Sequence, residues 1–412
     1  MYYNEPSVER DKDLIIFNKL NHPKVVSDFL YEINSGLNAG FDSFDLDFDN
    51  VNTIFPNAGA PIAGLIEYYK KIGVNIYCSD LPQFIESSQI MNPLKVSENL
   101  LLLNRNVLSK IWRFENSSDV GKLVDSFINE LSKSDKFEKG VLDALEWSIN
   151  EVMDNVLQHS KITHGYAMGQ IHKSSKHVAF TIYDTGQGIY NSLKNSPHAP
   201  RFVLDAITIC IKEGVTRDKK IGQGNGMFGL HSVVKENSGS LTITSGSASY
   251  IFNKGSVKTF KSLPYPSYDN SCTSIDFQLD YNKPIAIEKA LPFKNYKFVS
   301  LQIDDLETDF GDLLYVLKEK AEGTGTRQSG ERVRNEISNL IRDTQKKIII
   351  DFSEIAVISS SFADELIGKL VIELGFFNFN NLVRMIKMND LCQTIVQRSV
   401  AQRMNEEINN ES

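Results

Sequence analysis

Three segments in the middle third of the chain decide its fold: Glu151-Val-Met-Asp-Asn155, Asp184-Thr-Gly-Gln-Gly188 and Gly222-Gln-Gly-Asn-Gly-Met-Phe-Gly-Leu230. The first lies in a run from Phe137 to Gln158 whose apolar residues recur at helical spacing. The second ends an alternating, strand-like run, and the third leads into a helix-like run. Together they predict an α/β domain in which these three segments line one pocket.

The first segment places Glu151, Asn155 and His159 one helical turn apart, on roughly one face. Asn155 offers a neutral oxygen to a hard cation such as Mg²⁺. Glu151 can accept a proton from an attacking water or hydroxyl group. For this spacing alone, a solvated helix face is the simpler interpretation.

The second segment supplies a carboxylate and two glycines at the end of a strand. An ionised Asp184 only accepts hydrogen bonds, so it suits the exocyclic amino group of adenine and disfavours guanine. Gly186 and Gly188 allow the backbone to turn sharply and to approach a flat base. Taken alone, such a pattern is more often a plain turn.

The third segment carries four glycines: Gly222, Gly224, Gly226 and Gly229. They border a helix-like run from Met227 to Lys235, and amides at a helix N-terminus attract phosphate. Just upstream, Lys219 and Lys220 are candidates for phosphate neutralisation. A solvated loop is an equally good interpretation of these lysines.

In combination the segments resemble the motifs of the GHKL (histidine kinase-like) ATPase superfamily. The resemblance covers about residues 100–283. It implies an α/β sandwich, with a mixed sheet and helices on one face, and ATP held under a mobile lid of about residues 190–226. It also implies that Asn155 coordinates Mg²⁺, that Asp184 binds adenine and that Glu151 is the catalytic base, with the glycines lining the phosphates.

Within that superfamily, the spacing of Glu151, Asn155 and His159 is most similar to the anti-sigma-factor serine kinases. Thr273 lies in the strand where the superfamily often places an adenine-side threonine. No histidine occurs between residues 100 and 150, which argues against a self-phosphorylating sensor histidine kinase.

The carboxy-terminal region has a strand-like run, Ile348 to Phe352, and then the signature Ser-Ser-Phe-Ala-Asp-Glu-Leu from Ser360 to Leu366. About residues 300–405 resemble STAS-like domains, and most closely an uncharacterised STAS-like family. That resemblance makes Ser360 a candidate phosphoacceptor, because anti-sigma-factor antagonists carry a phosphorylated serine there. Ser361-Phe-Ala-Asp364 also fits a capping box, which is the favoured interpretation.

The amino-terminal region repeats the same order of strand, link, helix and strand, with Pro56 at the place of Ser360. We therefore predict STAS-like α/β domains at residues 1–95 and 284–412, the second ending in a polar tail. They flank an ATP-binding domain at 96–283, with an insertion at about 246–272. Two unrelated α/β pieces are the alternative to a repeat.

The composition indicates a cytoplasmic protein. The 52 acidic residues outnumber the 44 basic ones, which disfavours nucleic acids and anionic membranes as partners. The sequence shows no secretory signal, no apolar run of the roughly 20 residues that span a bilayer, and no CxxC pair.

These features predict a Mg-dependent, ATP-binding regulator, or ATPase, whose nucleotide state controls STAS-like interaction domains. The alternatives are a protein-serine kinase that modifies Ser360 and a scaffold that binds ATP without hydrolysing it. The partners expected are ATP, Mg²⁺ and an unidentified protein. A homodimer is possible, and the sequence does not decide the oligomeric state.

Overall fold

The computed structural model describes residues 6–212, 215, 226–261, 271–291 and 301–410. The chain has a mixed α/β fold, as the sequence predicts. It forms two compact units. The first comprises the chain up to Phe127, from Ala144 to Asp280, and from Ile285 to residue 291; the second comprises Ile128 to Asp143, Tyr281 to Pro284, and the chain after residue 300.

The first unit begins with a small sheet and two helices. The elements are β1 (Val8–Asp11), β2 (Leu14–Phe17), α1 (Lys24–Asn38), β3 (Ser43–Asp47), α2 (Pro56–Lys71) and β4 (Asn75–Tyr77). The strand order is β1-β2-β3-β4, with β1 antiparallel to β2 and the other neighbours parallel. The predicted order of strand, helix and strand is confirmed.

The rest of the first unit is built on eight strands: β5 (Leu94–Lys95), β6 (Trp112–Phe114), β7 (Gly165–His172), β8 (His177–Asp184), β9 (Ser240–Ser245), β10 (Ala248–Asn253), β11 (Ser256–Phe260) and β12 (Thr273–Asp280). The helices that lie in this unit wholly or, for α5 and α6, in part are α3 (Gln83–Ser88), α4 (Leu100–Leu103), α5 (Ser117–Ser134), α6 (Val141–His159), α7 (Gly188–Leu193), α8 (Val203–Cys210), α9 (Gly226–Asn237) and α10 (Ile287–Ala290). The strands pair in the order β11-β10-β9-β12-β8-β7-β6-β5. In the predicted insertion, β10 and β11 extend the edge of this sheet.

Helices cover both faces of the eight-stranded sheet. On one face, Phe127 of α5 packs edge-on against Phe180, with 5.1 Å between ring centroids. On the other face α2 crosses β7 and β8. A Cβ at Gly64 of α2 would lie 2.7 Å from the ring of Tyr183. The helix on the second face thus belongs to the amino-terminal segment that flanks the predicted central domain, and glycine lets this segment approach the sheet closely.

The carboxy-terminal elements are α11 (Leu301–Leu306), β13 (Leu313–Val316), α12 (Leu317–Lys320), α13 (Arg327–Thr344), β14 (Ile348–Asp351), α14 (Ser360–Ala363), α15 (Lys369–Leu374), α16 (Phe376–Leu382), β15 (Val383–Ile386) and α17 (Asp390–Asn410). A π-helical turn, Asp364–Gly368, joins α14 to α15. The strands form a parallel sheet in the order β13-β14-β15. Within the described part of the chain, no helix is both long and apolar enough to cross a bilayer.

The two α/β segments share a detailed feature at the end of their middle strands. Asp47 ends β3 and accepts a hydrogen bond from the N–H of Asp49 at 2.8 Å. Asp351 ends β14 and accepts one from the N–H of Ser353, also at 2.8 Å. The next helix begins after the same interval in both segments, which supports the interpretation as a repeat.

Within the second unit, α13 binds the connection between α5 and α6 through the buried side chain of Asn339. Its Nδ2 donates to the carbonyls of Ser132 at 2.9 Å and Asp135 at 3.1 Å, and its Oδ1 accepts from the N–H of Phe137 at 2.8 Å. These bonds satisfy backbone groups that the end of α5 leaves unpaired. Another contact joins α13 to the end of α5: Arg332 pairs with both oxygens of Glu130, at 3.1 and 2.8 Å.

Candidate functional site

Three polar residues lie side by side where β8, β12 and β9 meet. Thr273 pairs directly with Asp184 on one side and with Ser245 on the other. Directly paired residues point to the same face of a sheet. The Oγ atoms of Ser245 and Thr273 are 3.3 Å apart. The register therefore joins the predicted Asp184 and Thr273 in one row.

Asp184 is a buried carboxyl group, with 4% of the residue exposed. Its Oδ1 accepts a hydrogen bond from the N–H of Gly186 at 2.8 Å. Burial raises the pKa of Asp184 to about 7, and the bond from Gly186 acts in the opposite direction. A ligand that donates a hydrogen bond to this group would favour its ionised form.

The glycine turn after Asp184 is held between α6 and β12. A Cβ at Gly186 would lie 2.3 Å from the carbonyl oxygen of Ser160, so a larger residue cannot fit without a shift. Gln187 donates its N–H to that same oxygen at 2.8 Å, and Cys272 donates its N–H to the carbonyl of Gly186 at 2.7 Å. Gly188 has a φ of 75°, a conformation that favours glycine.

The predicted helix face of α6 meets the start of α9. A Cβ at Gly226 would lie 2.5 Å from Oε2 of Glu151 and 3.2 Å from Nδ2 of Asn155. His159, one turn further along α6, accepts a bond at its carbonyl from the side chain of Gln187 at 2.6 Å. The structure thus brings together residues from all three segments: α6, the turn after β8, and the start of α9.

Glu151 is partly buried, and its pKa is raised, first by burial and then by the negative charge of Asp154. The pKa of Asp154 is itself raised by burial. A carboxylate with a raised pKa is a stronger base than a solvated one, which suits Glu151 to accept a proton.

Asn155 and the glycines give a test of whether a Mg-nucleotide fits. Nδ2 of Asn155 is buried and has no hydrogen-bond partner in the described part of the chain. Because the two ends of an amide exchange by a flip, this orphaned end can equally present oxygen to a cation. Gly226 lies against Glu151 and Asn155, so a residue with a side chain has no room there. The orphaned amide of Asn155 is the feature that suits a hard cation.

The remaining predicted positions divide into two groups. Lys219, Lys220, Gly222 and Gly224 lie outside the described residues. Gly229 packs against α6: a Cβ there would lie 2.0 Å from the ring of Trp147. Gly229 of α9 thus packs in the core between α9 and α6.

Sequence reasoning missed three residues of the site: Asp154, Ser160 and Ser245. Ser245 accepts from the N–H of Ile189 at 2.9 Å and donates to the carbonyl of Cys272 at 2.9 Å, so it joins the glycine turn to β12. The alternating pattern before Ser245 marks it as the end of a strand. Only the strand order shows that this end lies beside Thr273.

The serine-rich start of α14 differs from its predicted arrangement. Ser359 is the N-cap, and its Oγ accepts from the N–H of Phe362 at 3.0 Å. Asp364 pairs with the guanidinium of Arg403 at 2.6 and 2.7 Å, so it does not close a capping box with Ser361. The predicted N-cap, Ser361, is therefore wrong by two residues. Ser360 is exposed at the first position of the helix.

A buried carboxylate lies behind this helix start. Glu365 is 3% exposed and contacts Arg327 at 2.6 Å, Arg334 at 2.6 Å and Lys369 at 2.5 Å. Burial acts to raise its pKa, but the three cations together hold the pKa below its usual value. Arg327 and Arg334 of α13 thus supply counterions to the Ser-Ser-Phe-Ala-Asp-Glu-Leu signature.

Residues 329–391 match the family model described as "STAS-like domain of unknown function (DUF4325)". This part of the chain is a STAS-like domain. The match runs from α13 to the start of α17, around the parallel sheet. Neither the comparison with curated proteins nor that with solved structures gave a match. The resemblance of residues 100–283 to GHKL ATPases therefore rests on the three segments and their geometry.

Proposed function

We propose that the first unit binds ATP with Mg²⁺, and that its nucleotide state controls the STAS-like domain. The observation that carries the proposal is the meeting of Gly226 with Glu151 and Asn155, in the same unit as the Asp184–Thr273 row. Residues of three motifs that are weak individually come together in this unit, which supports the proposal.

Each residue then has a defined role. Asp184 accepts a hydrogen bond from the amino group of adenine, and Thr273 lies beside it. The first amides of α9 face phosphate. Asn155 is the ligand for Mg²⁺, and Glu151 accepts the proton of the attacking water. The bound Mg-nucleotide supplies the activated phosphoryl group.

The connection between α5 and α6 is the feature that supports control of the STAS-like domain. Helix α6 carries Glu151 and Asn155, and the turn before it is bound by Asn339 of α13. If the site closes around nucleotide, α6 would shift. That shift would reach α13 through the turn before α6, which Asn339 binds. Such a link gives a nucleotide-dependent change a physical route.

Titration calorimetry with ATP tests the proposal, in the presence and absence of Mg²⁺. We expect Mg-dependent binding that Asp184→Asn weakens about tenfold or more, because a charged hydrogen-bond acceptor is lost. Glu236→Gln, at the far end of α9, is the matched carboxylate control. Absence of Mg-dependent binding to the unaltered chain would refute the proposal.

A protein-serine kinase is the second candidate, and the start of α14 favours it. Since Ser359 caps the helix, the exposed hydroxyl of Ser360 is not needed for capping. After incubation with Mg²⁺ and γ-labelled ATP, label on protein that Ser360→Ala removes and Ser361→Ala retains would indicate a kinase. Label released as phosphate, and lost in Glu151→Ala, would indicate an ATPase. Binding without either outcome would leave a non-hydrolysing scaffold.

A further inference from the structure

An exposed group of leucines lies at one edge of the eight-stranded sheet, in the connection from β5 to β6. Strand β5 is the last in the sheet order, and α4 follows it within this connection. Helix α4 consists of four consecutive leucines, and three of them are exposed: Leu100 (44%), Leu101 (80%) and Leu102 (43%). Single exposed leucines are common, but adjacent ones form an apolar patch of the kind that is typical of an interaction site.

Buried residues of the same connection hold this leucine patch in place. Leu103, the fourth leucine of α4, is buried, and so is Val107. The buried indole N–H of Trp112 donates to the carbonyl of Val107 at 2.8 Å, which ties the connection to the start of β6. Because Leu103 and Val107 make the contacts with the core, the three exposed leucines are free to contact another surface.

The charges around the leucine patch indicate what kind of surface it contacts. From β5 to the start of β6 the chain carries three basic residues and one acidic residue: Lys95, Arg105, Lys110 and Glu98. Lys95 pairs with Glu98 at 2.8 Å, so Arg105 and Lys110 supply a local positive charge. Arg105 is exposed and forms no ion pair with any residue that the structure describes. Its backbone N–H donates to the carbonyl of Leu102 at 3.2 Å, so Arg105 adjoins the patch.

Exposed apolar side chains beside an unpaired arginine match the surface of an anionic phospholipid bilayer. Leucine side chains enter the boundary between headgroups and acyl chains, while basic side chains meet the negative headgroups. The net charge of −8 of the whole chain opposes such binding only weakly, because charges farther away than about 8 Å are largely screened at physiological ionic strength. The local charge around the patch therefore decides whether it binds an anionic surface.

We propose that Leu100, Leu101 and Leu102 dock the chain on anionic phospholipid membranes, with Arg105 against the headgroups. With four residues, α4 is far too short to span a bilayer, so the binding is interfacial. The membrane site is at the β5 edge of the sheet, three strands away from Asp184 on β8. It does not depend on the proposed nucleotide site, and the two are tested separately.

Flotation of the full chain with vesicles, without nucleotide, tests the proposal. We expect binding to vesicles of phosphatidylserine and phosphatidylcholine in equal parts, and binding to phosphatidylcholine alone that is weaker by about tenfold or more. Leu101→Ser should weaken binding to the anionic vesicles about tenfold, because the most exposed leucine of the patch no longer enters the interface. Phe377→Ser is the matched control. It removes a side chain of α16 that is 82% exposed, and it should bind like the unaltered chain.

A reversal of charge completes the test. Arg105→Glu should weaken binding about tenfold. Lys258→Glu makes the same change of charge on β11, at the opposite edge of the sheet, and should bind normally. The proposal is overturned if the unaltered chain does not float with anionic vesicles, or if Leu101→Ser or Arg105→Glu binds as tightly as the unaltered chain. It is also overturned if no vesicle binding occurs and Leu101→Ser abolishes a dimer seen by sedimentation, since the patch would then join two copies.

Discussion

The side-chain oxygen of Asn339 accepts a hydrogen bond from the backbone N–H of Phe137 at 2.8 Å. One side chain from the STAS-like domain thereby recognises the backbone of the turn before α6. Because the contact is buried and its partners are backbone groups, no rearrangement of neighbouring side chains can replace it.

Replacement of Asn339 by leucine should destabilise the second unit by about 2–4 kcal/mol, since three buried backbone groups lose their partner. Hydrogen exchange checks this locally: the amide of Phe137 should exchange much faster. Asn380→Ala, which changes an exposed asparagine of α16, is the control and should leave that rate unchanged. Unchanged protection of Phe137 in Asn339→Leu would contradict the assigned role.

Gly226→Ala should weaken ATP binding about tenfold or more, because its methyl group would meet Glu151 at 2.5 Å and force the start of α9 away. Gly121→Ala is a matched control, since a Cβ there meets nothing within 4 Å. That variant should bind normally and gain slightly in stability from better helix propensity. Calorimetry and thermal unfolding measure both properties. Normal affinity in Gly226→Ala would exclude this helix start from the site.

The pH dependence of ATP turnover should report Glu151. The base must be ionised, so the rate should rise with pH through a pKa above the usual value for glutamate. Asp154→Asn removes a negative charge that raises this pKa. The midpoint of the pH profile should then move to lower pH. A midpoint that stays in place would show that another group controls the rate.

Asp143 and Asp343 form an acidic pair in the second unit, with pKa values raised to about 6 and about 7. Burial is the first cause in both, and Asp143 also raises the pKa of Asp343. Because the folded state holds these protons more tightly than the unfolded chain, their effect is to lower stability as pH rises from about 4 to about 7.

Asp343→Asn keeps an acceptor for the N–H of Gly140 and removes the charge. We expect the free energy of unfolding of this variant to exceed that of the unaltered chain, by more at pH 8 than at pH 5. Urea unfolding at the two pH values measures the difference. A gain that is equal at the two pH values would show that ionisation of this pair is not the cause.

The sequence predicted the parts of the site that depend on local periodicity. Helical spacing placed Glu151, Asn155 and His159 on one face, and strand alternation placed Asp184 at the end of β8. Neither kind of periodicity tells which strands are neighbours in the sheet. The position of Ser245 beside Thr273 therefore could not be predicted.

One prediction failed for an identifiable physical reason, and one packing contact could not be predicted. Consecutive serines offer several equivalent N-caps, and only the pairing of Asp364 with Arg403 shows that Ser359 is the one used. Coverage of the second sheet face depends on Gly59 and Gly64, whose role is to permit a close approach. Because glycine has no side chain, it adds nothing to the hydrophobic periodicity. The surface that packs against it therefore cannot be predicted from the sequence.

The packing of α2 also limits how the protein can be divided. Residue 95 is an attractive point for truncation, since the nucleotide motifs all follow it. Yet Tyr166, Met168 and Tyr183 share their apolar core with the segment before that point. A fragment that starts at residue 96 would present this surface to water and would be prone to aggregate. A stable fragment that carries the three motifs therefore has to retain the amino-terminal segment.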